Sequence, residues 1–292
     1  MPRIAIGTVQ FGTQYGVSNT QGQTSFSELV DIVEFLSQAG SNLYDTAPLY
    51  GESEAVLGKC LANRTCRIVT KTNHFSGESI TGQDAQLLIK TFGQSLSLLG
   101  KNSVYGLLVH QADDLLKPGS EWLIDALEQL KRDKQVQKVG VSVYNAKQLD
   151  EVLLRFTPDL VQVPFNVLDQ RLLASGHLQK LHRMGVEIHT RSAFLQGLLL
   201  MPAETRPPFF ERFGLDLNRF DRFCEQQQLS ALEVCLGFVM SVKPIDYVVV
   251  GGCNLVQWKE IVAASARRFD LALFESLATD DPALVEPSRW KL

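Results

Sequence analysis

The chain has 292 residues, 45% of them hydrophobic, which is enough for one sizeable core. Its formal net charge of -4 excludes the basic field that nucleic-acid binding needs. The five cysteines include no CxxC pair, and such an odd set is typical of reduced thiols in the cytosol. No signal-peptide core precedes Gln10, and no run of about 18 apolar residues predicts a membrane span. We expect a cytoplasmic protein without a nucleic-acid or membrane partner.

Along the chain, short apolar runs alternate with stretches whose apolar residues have helical spacing. Eight runs predict strands, over residues 4–6, 42–44, 67–70, 105–109, 139–141, 160–163, 187–189 and 247–250. The alternation favours parallel strands with right-handed crossovers, and eight strands favour a closed (β/α)8 TIM barrel over an open α/β sheet. We expect a single domain over residues 1–292, with an extra helix or loop between strands seven and eight, where residues 201–218 are rich in proline.

The first helix is predicted together with both of its ends. Ser25, with Glu28 three residues later, resembles a capping box that begins a helix. Gly40 follows the helical stretch, where a left-handed residue commonly ends a helix. The apolar stripe between them consists of Leu29, Ile32, Val33 and Leu36.

Four ionisable residues follow three consecutive predicted strands. Asp45 ends strand two and Tyr50 lies five residues later, while Lys71 ends strand three and His110 ends strand four. In a parallel barrel the active site lies at the carboxyl ends of the strands. Each residue taken alone also fits a structural role, as a turn, a half-buried aromatic, a surface lysine or a structural histidine. Their coincidence at adjacent strand ends favours a functional site.

The chemistry of these four side chains is complementary. An ammonium near a phenol favours its phenolate form, so Lys71 can help Tyr50 to exchange a proton. A lysine buried in a barrel mouth needs a counter-charge, which Asp45 supplies. His110 can hydrogen-bond a carbonyl oxygen and orient it toward the phenol. Such a group suits protonation of the alkoxide that forms when a hydride reaches a carbonyl carbon.

The same residues lie in a known family signature. The segment 44–58 reads YDTAPLYGESEAVLG and closely resembles the signature of the aldo-keto reductase family. Residues 7–12, GTVQFG, resemble its first strand and loop, and VTK ending at Lys71 and LLVH ending at His110 follow in the family's order. VGVS at 139–142, VQVPFN at 161–166 and the stretch from Ser192 resemble its later strand ends more loosely. The resemblance extends from about residue 4 to about residue 260.

This resemblance implies NADP(H)-dependent reduction of an aldehyde or ketone to an alcohol, or the reverse reaction. It implies that Tyr50 is the general acid–base, that Lys71 activates it, that His110 orients the carbonyl and that Asp45 pairs with Lys71. The expected partner is a small-molecule carbonyl substrate. The chain is expected to be a monomer or a weak homo-oligomer. No metal site is implied. The implied cofactor positions are Thr8, Asp45, Ser142, Gln162, Arg191, Gln196, Gly197, Gly251, Gly252, Asn254, Gln257 and Glu260.

The chain departs from the family pattern around the cofactor. Val143 follows Ser142 where the family commonly has asparagine, so one amide contact is missing or comes from Asn166. Arg191 stands where an aromatic residue usually stacks on the nicotinamide, and a guanidinium can either stack or bind an anion. The last strand and loop offer only Lys259 for a 2′-phosphate. The family resemblance still makes NADP the expected cofactor, and these departures leave NAD open as the alternative.

Loops supply the expected substrate walls, namely 14–23, Leu49, 73–81, 111–116 and the loop after strand seven. Trp290 with residues 209–210 fits either a cover over the mouth or surface packing. Two other functions stay open. A barrel aldolase would use Lys71 as a Schiff-base nucleophile, and a regulatory barrel would bind the cofactor without significant turnover.

Overall fold

The predicted strands all occur, in a computed structural model that describes residues 3–291. Residues 1, 2 and 292 of the predicted domain lie outside the described residues. The strands are parallel, each pairs with the next, and the eighth pairs with the first, which closes the barrel. The (β/α)8 barrel prediction is confirmed. The strands are β1 (Arg3–Gly7), β2 (Leu43–Asp45), β3 (Arg67–Lys71), β4 (Val104–Val109), β5 (Val136–Ser142), β6 (Leu160–Pro164), β7 (Glu187–Arg191) and β8 (Tyr247–Val250).

Helices follow the strands and cover the outside of the barrel. Between Arg3 and Lys291, no helix is both long enough and apolar enough to cross a membrane. Short 3₁₀ turns occur at 112–115, 195–200, 203–205, 208–213, 271–277 and 287–289. The helices are α1 (Val9–Gly12), α2 (Phe26–Gln38), α3 (Ser53–Cys60), α4 (Gly82–Leu99), α5 (Glu121–Arg132), α6 (Ala146–Leu153), α7 (Arg171–Ala174), α8 (His177–Arg183), α9 (Gly214–Gln227), α10 (Ala231–Met240), α11 (Leu255–Ala264) and α12 (Pro282–Val285).

The interior of the barrel explains how side chains reach its mouth. Successive side chains of a strand point to opposite faces, so residues two apart share a face. Asp45, Lys71, His110 and Gln162 each stand two positions after a residue of the interior apolar cluster and therefore also face the interior, one layer higher. That cluster consists of Ala5, Leu43, Val69, Leu108, Leu160, Tyr247 and Val249.

One glycine is required where two strands approach closely. A Cβ at Gly140 of β5 would overlap the carbonyl oxygen of Leu160 at the start of β6. The strand β5 is also longer than predicted, because it begins at Val136 and includes the polar Gln137 and Lys138. Lys138 Nζ lies 2.6 Å from Glu187 Oε2 at the start of β7, so this polar residue has a partner within the barrel wall.

The first long helix, α2, confirms its predicted ends but not its capping box. Ser25 Oγ accepts a hydrogen bond from the backbone N–H of Glu28, and Gly40 has a φ of +80° just past the end. The Glu28 carboxylate does not return to the backbone of Ser25. It accepts a hydrogen bond of 2.5 Å from the N–H of Leu255 at the start of α11. The second half of the predicted box is wrong, because Glu28 joins two helices instead of closing one.

The extra helix predicted between strands seven and eight is α9, which a series of 3₁₀ turns precedes. The aromatic residues in this region pack on the surface of the barrel. The ring centres of Phe210 and Trp290 are 4.8 Å apart, and Trp290 Nε1 donates to the carbonyl of Leu284. Neither residue lines the cavity at the barrel mouth. Of the two predicted roles for Trp290, the structure favours surface packing.

Candidate active site

A cavity of about 840 Å³ lies at the carboxyl ends of the strands. Nearly all of the predicted site residues line it. Lys71 and Asn254 do not, because Lys71 is buried beneath the cavity and Asn254 caps α11 beside it. The predicted residues that line the cavity are Thr8, Asp45, Tyr50, His110, Ser142, Gln162, Arg191, Gln196, Gly197, Gly251, Gly252, Gln257 and Glu260.

A buried ion pair forms the floor of the site. Lys71 Nζ donates to Asp45 Oδ1 at 2.7 Å and to the carbonyl of Thr46 at 2.9 Å. The side chains of Lys71 and Asp45 are only 1% and 4% exposed. Burial on its own lowers the pKa of Lys71, but the carboxylate of Asp45 and the phenol of Tyr50 together hold that pKa above its ordinary value. Lys71 therefore carries a positive charge at neutral pH.

Two predicted cofactor contacts hold this floor in place. Gln162 Nε2 donates to Asp45 Oδ2 at 2.7 Å, so Asp45 accepts from both sides. The hydroxyl of Thr8 donates to the backbone carbonyl of Asp45 at 2.9 Å and lies 2.8 Å from Ser53 Oγ. Both side chains line the cavity, yet their hydrogen bonds fix the position of Asp45. Sequence reasoning missed this supporting role.

Tyr50 and His110 face each other above the ion pair. Their ring centres are 6.2 Å apart and the rings are almost perpendicular. Lys71 Nζ lies 5.0 Å from the centre of the Tyr50 ring, so the phenol is beside the buried ammonium. The structure thus brings all four residues of the predicted tetrad together.

His110 is an uncharged imidazole at neutral pH. Burial, together with the nearby ammonium of Lys71, lowers its pKa from the ordinary value to about 4. Nδ1 of His110 is buried and has no hydrogen-bond partner among the described residues. A neutral imidazole keeps one N–H donor, which can bind a carbonyl oxygen.

Arg191, at the end of β7, presents a guanidinium to the cavity. Its Cζ lies 4.5 Å from the centre of the Tyr144 ring, so the planar group rests on an aromatic face. Among residues 3–291 it forms no ion pair with a carboxylate, and its hydrogen bonds to Val143 O and Ser192 Oγ are long, at 3.5 and 3.4 Å. Tyr144, which the sequence did not single out, thus supports the guanidinium from one side.

The loops after β1 and β7 meet over the cavity. The N–H of Val17 donates to the carbonyl of Gln196 at 3.0 Å, and a Cβ at Gly197 would overlap Ser18 Oγ. The loop after β7 is strained, because it contains four left-handed backbone conformations within six residues. They are Ser192, Leu195, Gln196 and Gly197, with φ of +65°, +46°, +56° and +92°.

The far end of the cavity lies at the start of α11. Asn254 caps this helix through a bond from the N–H of Gln257, and its Nδ2 donates to Gln21 Oε1 at 3.0 Å. Gln257 Oε1 accepts from the N–H of Cys253. Glu260 lines the cavity, whereas Lys259 is exposed and does not. The one basic residue that the sequence offered for a 2′-phosphate therefore lies outside the cavity lining.

Neither Val143 nor Asn166 lines the cavity. Val143 is fully buried, and Asn166 does not replace an amide contact there. Asn166 is also buried, and its Nδ2 donates to the carbonyl of Ser192 while its Oδ1 accepts from two backbone N–H groups. It stabilises the turn after β6 and does not line the cavity. Asn166 therefore does not supply the amide contact that an asparagine in place of Val143 commonly makes in the family.

The predicted substrate walls contribute unequally. From the segments 73–81 and 111–116 only His74 and Gln111 line the cavity, together with Leu49 and several residues of 14–23. Tyr15 also lines the cavity, and burial raises its pKa above the ordinary value. No motif marks these loop residues, and only their position after the strands could have suggested them.

The comparison with protein families agrees with this geometry. The model of the aldo/keto reductase family matches residues 3–278. The chain belongs to this family. Aldo/keto reductases are oxidoreductases that use nicotinamide cofactors, and the barrel described above is the fold of the solved members.

Several individual proteins are similar to the chain. L-galactose dehydrogenase of Arabidopsis thaliana is 27% identical over an alignment that covers 97% of this chain and 92% of the relative. An aldo-keto reductase from Bacillus halodurans, solved in its holo form, has a TM-score of 0.76 at 19% identity, covering 98% of this aldo/keto reductase and 95% of the other. A glycerol dehydrogenase from Gluconobacter oxydans has a TM-score of 0.72 at 19% identity, with 97% and 92% covered. The two structural likenesses concern the fold.

Proposed function

We propose that this aldo/keto reductase reduces an aldehyde or ketone to an alcohol, or catalyses the reverse, with Tyr50 as the general acid–base. The observation that carries the proposal is the buried ion pair of Lys71 and Asp45 directly beside the Tyr50 phenol. A positive charge held in a buried site stabilises the phenolate that remains after proton transfer. Proton exchange with a carbonyl oxygen is the chemistry that this arrangement suits best.

Each residue has a distinct part in the proposed reaction. Uncharged His110 donates a hydrogen bond to the carbonyl oxygen and orients it toward Tyr50. A nicotinamide cofactor, when bound in the cavity, would be the source of the hydride for the carbonyl carbon. Tyr50 transfers its proton to the developing alkoxide, and Lys71 compensates the charge left on the phenol. Asp45 keeps Lys71 protonated and in place. In the oxidation direction the same proton returns to Tyr50.

The cavity fits a nicotinamide dinucleotide. Its volume of about 840 Å³ suits a large ligand. Gln10 Oε1 is buried and has no hydrogen-bond partner in the described chain. A Cβ at Gly251 would overlap this oxygen, so the glycine allows the side-chain amide of Gln10 to lie against the backbone of residue 251 at the cavity. At the start of α11 the N–H groups of Leu255 and Gln257 already bond Glu28 and Asn254, so they are not free to bind a phosphate. The residues proposed to hold the cofactor are Thr8, Asp45, Ser142, Gln162, Arg191, Gln196, Gly197, Gly251, Gly252, Asn254, Gln257 and Glu260.

The preference between NADP and NAD depends on charge at the adenosine end. Family membership made NADP the first expectation. A 2′-phosphate is usually held by arginine or lysine, but the cavity wall near α11 presents Gln257 and Glu260, with Lys259 outside it. A carboxylate repels a phosphate and can accept hydrogen bonds from ribose hydroxyls. We therefore propose that NAD binds at least as tightly as NADP.

Two alternatives from the sequence receive less support. A Schiff-base mechanism needs an unprotonated Lys71, whereas the adjacent carboxylate raises its pKa. A regulatory barrel without turnover does not need the complete tetrad that lies together at the barrel mouth. The names of two similar proteins, an L-galactose dehydrogenase and a glycerol dehydrogenase, concern hydroxylated compounds. Hydroxylated carbonyl compounds are therefore the first substrates to test.

The proposal is tested by steady-state oxidation of NADH and NADPH with 4-nitrobenzaldehyde and with a panel of aldoses and ketones. Turnover above the rate without enzyme supports it. Tight cofactor binding without turnover on the whole panel would favour the regulatory barrel. If borohydride reduction leaves the carbonyl compound covalently attached to Lys71, the Schiff-base mechanism would be favoured.

A further inference from the structure

A buried carboxylate lies near the cavity but takes no part in the proposed reaction. The side chain of Asp114, in the turn after β4, is 0% exposed. Its Oδ1 accepts from Lys117 Nζ at 2.7 Å, and its Oδ2 accepts from the N–H of Phe75 at 3.3 Å. Lys117 also donates to the carbonyl of Phe75. These bonds connect the loop after β3 to the loop after β4 and fix the orientation of the carboxylate.

The remaining partner of this carboxylate is a histidine. His74 Nδ1 lies 3.3 Å from Asp114 Oδ2, while half of the His74 side chain is exposed. A carboxylate beside Nδ1 retains the proton on that nitrogen, which leaves a lone pair on Nε2 of the neutral ring. His74 lines the same cavity as Tyr50 and His110. The dyad therefore offers an oriented hydrogen-bond acceptor at the wall of the proposed reaction site.

The neighbouring wall is also polar. Gln111 and Tyr144 line the same cavity as His74, and Leu49 is an exposed apolar residue of that lining. An apolar substrate would leave these hydrogen-bonding groups without partners, which is unfavourable. A substrate with hydroxyl groups would satisfy them.

The geometry points to His74 as the residue that accepts a hydrogen bond from a hydroxyl on the carbon chain of the substrate, with Asp114 as its positioning residue. The substrate class is a small hydroxylated aldehyde or ketone, such as an open-chain sugar. This inference rests on the proposed reduction of a carbonyl and assigns a specificity role within it. A site that hydrogen-bonds a hydroxyl rejects the analogue that lacks it.

The test compares two three-carbon aldehydes, glyceraldehyde and propanal, which differ in their hydroxyl groups. The measured quantity is the ratio of kcat/KM for glyceraldehyde to kcat/KM for propanal, so that effects common to both substrates cancel. His74→Leu is expected to lower this ratio about tenfold, the loss of one hydrogen bond. His74→Gln, which keeps an acceptor, should restore part of it. The control is His182→Leu, because His182 is an exposed residue of α8 that does not line the cavity.

The variant Asp114→Asn distinguishes a role in orienting the His74 imidazole from a role in stabilising the loops alone. It keeps the shape of the side chain but removes the charge that holds the imidazole proton on Nδ1. The ratio should fall in the same direction as in His74→Leu, whatever the change in Tm. If Asp114 and His74 only stabilise the loops, the Tm falls and the ratio stays as in the wild type.

The outcomes distinguish this inference from the proposed function. A ratio unchanged in His74→Leu, or no turnover of glyceraldehyde by a wild type that reduces propanal, overturns the role of His74 while carbonyl reduction stands. If the wild type reduces neither these aldehydes nor the wider panel, the proposed function fails and this inference fails with it.

Discussion

Lys71 Nζ lies 2.7 Å from Asp45 Oδ1, in the layer of the barrel interior directly above the apolar cluster. Moving two charges out of water costs several kcal/mol per ion, which their attraction repays only with good geometry and additional hydrogen bonds. Both conditions hold here, since Gln162 Nε2 and the carbonyl of Thr46 complete the partners of the pair. The pair is therefore a stable feature of the barrel mouth as well as part of the proposed chemistry.

The destabilisation caused by removing the two charges of this pair should be non-additive. Lys71→Met leaves a buried carboxylate without its partner, and we expect a loss of about 3 kcal/mol in the free energy of unfolding. Lys71→Met combined with Asp45→Asn should be less destabilised than the sum of the single variants by at least about 1 kcal/mol. Denaturant unfolding of the four proteins measures this coupling. Strict additivity would contradict a coupled pair.

His110 should make stability depend on pH. Its pKa is lowered from 6.5 to about 4 in the folded protein, so the unfolded chain binds the proton more readily. The contribution is fully present above pH 6.5 and is lost as the pH falls toward 4. Wild type should therefore lose about 1–3 kcal/mol relative to His110→Gln across this interval. Parallel pH dependences of unfolding for the two proteins would argue against a neutral, buried His110.

Gly197 should matter for cofactor binding beyond its backbone strain. It has a φ of +92° and leaves room for Ser18 across the cavity. Gly40 is a matched control, with a φ of +80° and open space where its Cβ would be. The left-handed backbone should cost both alanine variants about 1 kcal/mol of stability, and Gly197→Ala should lose more because its Cβ would overlap Ser18 Oγ. Only Gly197→Ala should raise the cofactor Kd, by about tenfold. Quenching of protein fluorescence on titration measures it; equal Kd values for the two variants would exclude this role of the loop contact.

Lys259 should contribute little to the choice of cofactor. Because this side chain does not line the cavity, Lys259→Ala should change the ratio of the Kd values for NADP and NAD less than about twofold. The wild type should bind NAD at least as tightly as NADP. A clear preference for NADP that Lys259→Ala abolishes would show that the lysine reaches the 2′-phosphate after all.

The sequence was sufficient for the barrel and for the placement of Asp45, Tyr50, Lys71 and His110 together at its mouth, because both follow from local patterns. Strand alternation gave eight strands, and residues two positions beyond an interior apolar residue fall at the mouth. Contacts between distant segments could not be read in this way. The bond from Leu255 to Glu28 replaced half of a predicted cap, and the dyad of His74 and Asp114 joins two loops that share no motif.

The same limit applies to the roles of individual site residues. Gln162 was predicted as a cofactor contact, but its amide nitrogen bonds Asp45 across 117 positions of sequence. The sequence also allows the amide of Asn166 to contact the cofactor, but in the structure this amide bonds the backbone carbonyl of Ser192 and stabilises the turn after β6. The local sequence pattern indicates which side chains face the cavity. The hydrogen-bond partner of each polar side chain depends on contacts that form only when the barrel closes.

The most direct test of the proposed function compares wild type with Tyr50→Phe. The substitution removes the proposed proton donor and leaves the ring in place, so kcat for aldehyde reduction should fall by about 10²–10⁴. The cofactor Kd, measured in parallel by fluorescence titration, should change less than about threefold, because the phenolic hydroxyl is assigned to proton transfer and not to cofactor binding. Loss of turnover with unchanged cofactor affinity is the predicted result. Retention of turnover in Tyr50→Phe, or an equal loss of cofactor affinity, would contradict Tyr50 as the general acid–base.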